Sequence, residues 1–238
     1  MALPKLNDAP KYELVIPSTN QTIRFRPYLV KEEKILLMAQ ESGDERQMMN
    51  AMMDTLLACM EENINPRNLT TFDVEYMFLK LRAKSVGETS ELHLRCENEE
   101  CNHSNKYTIN VDKIEVDKSK LPESNIIDIS PGIQIEMKWP NFVETIDSAL
   151  KDKSMAGLMF STIRACINAI LTQDERIETR DVPTKELDEF IESMTHDQLQ
   201  MIQSYIECMP AVREEIEFTC EKCGHENKID VEGMNSFM

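Results

Sequence analysis

The sequence predicts an α+β protein in which a mainly helical body carries a small strand-rich module. Apolar residues recur every three or four positions over most of the chain, which is typical of helices. The period changes to two, as in strands, near two separate cysteine pairs. A chain of 238 residues, 41% of them hydrophobic and 29% charged, can also bury a sizeable core.

Residues 1–88 are predicted to form an N-terminal β-hairpin followed by a helical region. The hairpin is indicated by alternating apolar and polar residues on both sides of a Pro-Ser-Thr-Asn turn, and the helices by apolar residues three and four positions apart. The predicted elements are strands over 12–16 and 22–26 and helices over 29–42, 45–63 and 72–85.

Methionine is unusually frequent, with 16 residues, and several lie in the second predicted helix between Met48 and Met60. Their spacing gives a wide apolar stripe. The stripe is either part of the core or an adaptable partner surface, because methionine side chains repack readily. The C-terminal residues 234–238 are also apolar, and they either fray or insert into a partner.

The rest of the chain is divided into three further segments, which together with residues 1–88 are expected to form one compact domain. Residues 89–137 are predicted to be a strand region with the first cysteine pair. Residues 138–212 are predicted to be helical, and residues 213–238 to hold the second pair and the C-terminal tail. The helices of the third segment are predicted over 141–151, 155–171, 185–194 and 197–209.

The two cysteine pairs lie in stretches of sequence that echo each other. Cys96 and Cys101 form the first pair, Cys220 and Cys223 form the second, and x-His-x-Asn-Lys follows each pair. Spacings of four and two residues are typical of zinc knuckles, and a structural zinc takes four ligands. We therefore predict one tetrahedral zinc site made by all four thiolates. In this prediction two distant knuckles pack as a zinc-ribbon module beside the helical body.

Three other interpretations of these cysteines remain open. They are unmetallated thiols in surface loops, or His103 and His225 complete two separate sites with three protein ligands each, or a catalytic zinc keeps an open coordination position. Disulfides are not expected, because the N-terminus is no secretory signal and a cytoplasm is reducing. Cys59, Cys166 and Cys208 lie in apolar helical surroundings and are predicted to be small buried hydrophobes.

Charge and motifs limit the function. The formal net charge of -17 disfavours nucleic acid and anionic lipid as partners, and no apolar run approaches the ~20 residues of a membrane span. Phosphate-binding and catalytic motifs such as GxxxxGK[ST] or HExxH are missing from the sequence, so we predict no enzymatic activity. The basic cluster of Lys80, Arg82 and Lys84 suits the C-terminal dipole of its predicted helix.

Residues 26–34, 36–39 and 73–88 resemble the baseplate hub subunits, or baseplate hub assembly proteins, of T-even-type myophages. The resemblance runs over most of the chain. It implies a non-catalytic viral protein that helps to build the central hub of a contractile-tail baseplate by binding other tail proteins. It also implies that the protein is found in the virion tail or in the host cytoplasm during assembly. Such a role is compatible with an oligomer.

A regulatory zinc-ribbon adaptor that contacts nucleic acid or transcription machinery is the alternative function. Zinc ribbons often serve this purpose. The net charge and the lack of an interleaved aromatic and basic strip count against it here.

Overall fold

The structure is a computed structural model that describes residues 10–151 and 154–237. Over these ranges the chain mixes helices and strands, in agreement with the predicted α+β class. The helices are α1 (Val30–Ser42), α2 (Glu45–Cys59), α3 (Thr71–Ser85), α4 (Phe142–Lys151), α5 (Met155–Cys166), α6 (Thr184–Glu192) and α7 (His196–Ile206). The strands are β1 (Tyr12–Val15), β2 (Thr22–Phe25), β3 (Thr89–Arg95), β4 (Ser104–Asn110), β5 (Val116–Asp117), β6 (Ile126–Ser130), β7 (Ile133–Met137), β8 (Ile167–Thr172), β9 (Arg176–Glu178), β10 (Ala211–Thr219) and β11 (Glu226–Glu232).

The described residues form two compact units, and both are assembled from separate stretches of the chain. Unit 1 contains residues 10–65, 72–117 and 211–237, and unit 2 contains residues 66–71 and 118–210. Strand pairing joins the distant stretches of unit 1, because β10 from the C-terminal stretch pairs with β5 on one side and with β11 on the other. These units cut across the four consecutive segments named from the sequence.

Unit 1 begins with the predicted hairpin, in which β1 and β2 pair antiparallel. Helix α2 begins at Glu45, because the carboxylate of Asp44 accepts hydrogen bonds from the first free N–H groups of the helix. It ends at Cys59, before the predicted end at residue 63. The reason is tertiary: Met60 is extended and forms a β-bridge with Phe25 at the end of β2.

Helix α3 is the buried centre of unit 1. Its Val74, Met77, Leu79 and Leu81 side chains have no exposed surface, so apolar residues face the interior on every side. Lys80 is also buried, and its Nζ donates to the Asp112 carbonyl and to Glu115 Oε1. Lys80 is thus held by partners in the loop after β4, whereas Arg82 and Lys84 lie in the last turn of α3, where cations suit the helix dipole.

The methionine stripe and the C-terminal tail meet in the core of unit 1. Met52 packs with Phe78 of α3 and with Met234, and all three side chains are buried. Phe237 is fully buried as well. The apolar side chains of Met234 and Phe237 therefore belong to the protein's own core and are not presented to a partner. Met238 lies outside the described residues.

Unit 2 contains a four-stranded antiparallel sheet in the order β6-β7-β8-β9 together with α4 to α7. Its core contains Ile135, Met137, Ile163, Ile167, Ile170, Leu187, Ile191 and Ile202. The helix predicted over 155–171 was wrong in its second part, which is strand β8. Hydrogen bonding to β7 on one side and β9 on the other keeps this apolar run extended. Among the described helices, none has the length and apolar character needed to cross a bilayer.

Candidate metal centre

Each cysteine pair lies in the loop that closes a β-hairpin of unit 1. Strand β3 pairs with β4 up to Arg95 and Ser104, and β10 pairs with β11 up to Thr219 and Glu226. The strands alternate as the sequence predicts, with their inward side chains in the core. Loops 96–103 and 220–225 therefore begin directly where regular pairing stops.

The same backbone hydrogen bond closes both loops, although they differ in length. The N–H of Cys96 donates to the His103 carbonyl at 2.9 Å, and the N–H of Cys220 donates to the His225 carbonyl at 2.8 Å. The residue after the second cysteine has a positive φ in each loop, 43° at Asn102 and 73° at Gly224. Glycine adopts this conformation freely, and asparagine is among the few other residues that tolerate it.

The two loops bring the four cysteine sulfurs together. All four Sγ atoms lie within 4.8 Å of one another. The Sγ–Sγ distance is 3.6 Å between Cys96 and Cys223 and 3.9 Å between Cys101 and Cys220. A tetrahedral zinc with ~2.3 Å bonds would hold sulfurs ~3.8 Å apart, whereas a disulfide needs about 2 Å. The arrangement therefore fits one four-coordinate ion; that these residues bind a metal stays a prediction.

Backbone N–H groups in the loops stabilise sulfur charge. Burial raises the pKa of the Cys220 thiol, but hydrogen bonds from the N–H groups of Cys223 and Lys222 and from the thiols of Cys223 and Cys96 together outweigh burial and lower this pKa to about 6. Burial raises the pKa of Cys96 to about 11, although the Asn98 N–H acts in the opposite direction. One sulfur is thus ready as a thiolate at neutral pH, and a bound cation would favour deprotonation of the others.

The histidines contribute through their backbones. Within the described part of the chain, the group of close potential ligand atoms contains the four cysteines and no histidine. The carbonyls of His103 and His225 accept the loop-closing hydrogen bonds instead. This geometry favours one shared four-sulfur site over two separate three-ligand sites.

The three remaining cysteines lie outside this cluster. Cys59 and Cys166 are buried, as predicted, and burial raises their pKa values to about 11 and 12. Cys208 is only half-buried, and its Sγ donates to the Ser204 carbonyl. Arg26 near Cys59 and Lys138 near Cys166 act to lower these pKa values, but burial outweighs them, and a thiol with a raised pKa is a poor nucleophile at neutral pH.

Two asparagines next to the knuckles were not assigned a role from the sequence. Asn105 and Asn227 are the second residues of β4 and β11, and their side chains are almost fully buried. The signal was present in the sequence, because Asn is at the same position of both echoed stretches. Its meaning was not accessible without the contacts between the two hairpins.

No curated protein and no solved structure gives a significant match. A family model described as T4 bacteriophage base plate protein matches residues 9–238, a range that includes both hairpin loops and both compact units. The protein therefore belongs to the T4 bacteriophage base plate protein family.

Proposed function

We propose that this chain is a non-catalytic structural protein of the central hub of a contractile-tail baseplate, where it binds other tail proteins. The family match over residues 9–238 is the observation that carries the proposal. A baseplate is built from many proteins in contact, so docking to neighbours is the expected activity of a member. The resemblance of residues 26–34 and 73–88 to hub subunits favours the hub over other parts of the baseplate.

Exposed apolar side chains on α1 support a binding role. Val30, Ile35, Leu37 and Met38 are 78%, 50%, 52% and 59% exposed on this single helix. Apolar surface in such amounts is a feature of protein–protein contact sites. Leu37 and Met38 belong to one of the runs that resemble the hub subunits, and we assign them to contact with another tail protein.

We also propose that Cys96, Cys101, Cys220 and Cys223 bind one structural zinc. Four sulfur ligands suit zinc and leave no open position for substrate. Zinc binding to structural sites contributes roughly 10–16 kcal/mol. Each doubling of the length of a closed loop adds only ~0.6 kcal/mol of closure entropy. The long chain between the knuckles therefore costs little compared with the free energy of zinc binding. The ion would fasten the two cysteine-bearing hairpins, β3–β4 and β10–β11, to each other.

Mass spectrometry of purified virions and of isolated tail-assembly intermediates tests the hub assignment. The chain is expected in baseplates, or in hub intermediates if it acts only during assembly. Its absence from both would contradict the proposal. A gel-shift titration over a range of salt concentrations tests the alternative, because tight and salt-sensitive binding would favour an adaptor that contacts nucleic acid.

Elemental analysis of the chain, purified without chelator, tests the metal. One zinc per chain is expected. After cobalt substitution, the absorption spectrum should be that of a tetrahedral four-thiolate site. A chain that retains no metal, or a spectrum with nitrogen or oxygen ligands, would contradict the proposed site.

A further inference from the structure

Asn105 and Asn227 occupy equivalent places in the two hairpins. They are only 2% and 3% exposed, in hairpins whose neighbouring polar residues are largely solvent-facing. A buried amide side chain is costly unless its donors and its acceptor are satisfied. Both ends of each amide should therefore have specific partners, and they do.

The amide oxygen of each asparagine accepts a hydrogen bond from the loop of the other hairpin. Asn105 Oδ1 accepts a hydrogen bond from the N–H of Glu221 at 2.9 Å, and Asn227 Oδ1 accepts one from the N–H of Glu97 at 2.8 Å. Glu97 and Glu221 directly follow the first cysteine of their loops. Each hairpin thus accepts a hydrogen bond from the residue after the first cysteine of the other hairpin's loop. The two bonds are equivalent, so the arrangement has approximate two-fold symmetry within one chain.

The amide nitrogens hold the loop of their own hairpin. Asn105 Nδ2 donates to the His103 carbonyl at 3.1 Å, and Asn227 Nδ2 donates to the His225 carbonyl at 2.9 Å. These carbonyls also accept the N–H bonds that close the two loops. One planar amide therefore connects the base of its own knuckle with the peptide after the first cysteine of the other.

This connection bears directly on the sulfurs. The N–H of Glu97 donates to Asn227, and the next N–H along the chain, that of Asn98, donates to the Cys96 sulfur. In the other loop the N–H of Glu221 donates to Asn105, and the next N–H, that of Lys222, donates to the Cys220 sulfur. Both short Sγ–Sγ distances, 3.6 and 3.9 Å, also run from one hairpin to the other. A shift of one knuckle relative to the other would change these distances, and metal sites tolerate errors of only a few tenths of an ångström.

We propose that Asn105 and Asn227 are positioning residues of the metal site, and that their reciprocal hydrogen bonds hold the four thiols in place before the ion binds. The inference rests on the proposed metal function. A positioning role differs from a purely structural one in one respect. The hydrogen bonds between the hairpins set the metal affinity and the coordination geometry, in addition to satisfying two buried amides. Hydrogen-bonding partners behind the ligands typically change metal affinity 10- to 100-fold.

The test uses the full chain with the variants Asn105→Ala, Asn227→Ala and the double variant. Exposed neighbours provide matched controls, Lys106→Ala and Lys228→Ala, whose side chains form ion pairs along the hairpins. Zinc affinity is measured by competition with a chromogenic chelator, well below the melting temperature and with circular dichroism to verify the fold. Each asparagine variant is expected to bind zinc about 10- to 100-fold more weakly, and the controls within about threefold of wild type.

Two further readouts separate positioning from general stability. In cobalt-loaded asparagine variants, the visible bands should broaden or weaken while the circular dichroism stays unchanged. The double variant should lose less affinity than the product of the two single losses, since both bonds hold the same pair of knuckles. Wild-type affinity and an unchanged cobalt spectrum in both single variants would overturn the inference.

Hydrogen exchange on the metal-free wild-type chain makes the test independent of how the variants fold. The N–H groups of Glu97 and Glu221 should exchange much more slowly than the N–H of the exposed Glu99. Equal exchange rates would overturn the inference. Failure of the wild-type chain itself to bind zinc or cobalt is a separate outcome, which would instead reject the proposed metal site.

Discussion

Cys101 and Cys220 are 119 positions apart in the sequence, and their sulfur atoms lie 3.9 Å from each other between two hairpin loops. This contact brings the middle of the chain and its C-terminal part into one compact unit. Since both loops are closed by equivalent backbone hydrogen bonds, the fold itself presents four sulfurs to one point.

Loss of one sulfur should remove the ion and its contribution to stability. Cys220→Ser is expected to lower bound zinc from one per chain to nearly none. The thermal midpoint should fall in zinc-containing buffer, because an ion present at a thousand times its Kd stabilises the folded state by about 4 kcal/mol. Elemental analysis and calorimetry measure the two effects. Cys208→Ser, a change outside the cluster, should retain zinc; equal zinc loss in this control would contradict the assignment.

Truncation of the buried methionine side chain should destabilise unit 1. Met52 is 1% exposed and packs against Phe78 and Met234. Met52→Ala should lower the free energy of unfolding by about 2–5 kcal/mol, because it leaves a cavity. Met38→Ala, at a position 59% exposed, should change it by less than about 0.5 kcal/mol. Denaturant titration measures both, and similar losses would mean that Met52 is not a core residue.

The partly buried carboxyl group of Glu75 on α3 should make stability depend on pH. Burial, together with the charge of Glu232, raises the pKa of Glu75 from 4.5 to about 7. The folded state then holds this proton more tightly than the unfolded state, so its contribution to the free energy of unfolding is present below pH 4.5. It is lost as the pH rises toward 7. The loss amounts to about 3 kcal/mol.

Glu75→Gln removes this titration and provides the measurement. Relative to wild type, the variant should gain stability between pH 5 and pH 8, with the larger advantage at pH 8. Denaturant titrations of both proteins at the two pH values, in the same salt, isolate the effect of this one group. A difference between variant and wild type that stays constant with pH would show that the Glu75 pKa is not raised.

The exposed face of α1 should be needed for assembly and dispensable for folding. The double substitution Leu37→Glu and Met38→Glu replaces two side chains that are more than half exposed, so the thermal midpoint should hardly change. Burial of two carboxylates in an interface is costly, and incorporation into tail-assembly intermediates should be strongly reduced. Gln40→Glu, an exposed change on the same helix, is the control. Normal incorporation of the double variant would exclude this face as the contact.

The sequence by itself determined the features that depend on near neighbours. Alternation of apolar residues was enough to predict the hairpins around both cysteine pairs, and cysteine spacing was enough to predict two knuckles. The helix start at Thr195 was equally local. Its side chain accepts from the Gln198 N–H and Gln198 Oε1 accepts from the Thr195 N–H, which is the reciprocal pair of a capping box formed by residues three positions apart.

Only the tertiary structure decided the features whose partners are distant. The run from Ile167 to Leu171 suits a helix or a strand, and pairing with β7 and β9 selected the strand. The ion pair of the buried Lys80 with Glu115 likewise joins groups more than 30 positions apart. The same is true of the hydrogen bonds from Asn105 to Glu221 and from Asn227 to Glu97. A local pattern states what a residue can do, but the hydrogen-bonding and packing partners that select one possibility exist only after the chain has folded.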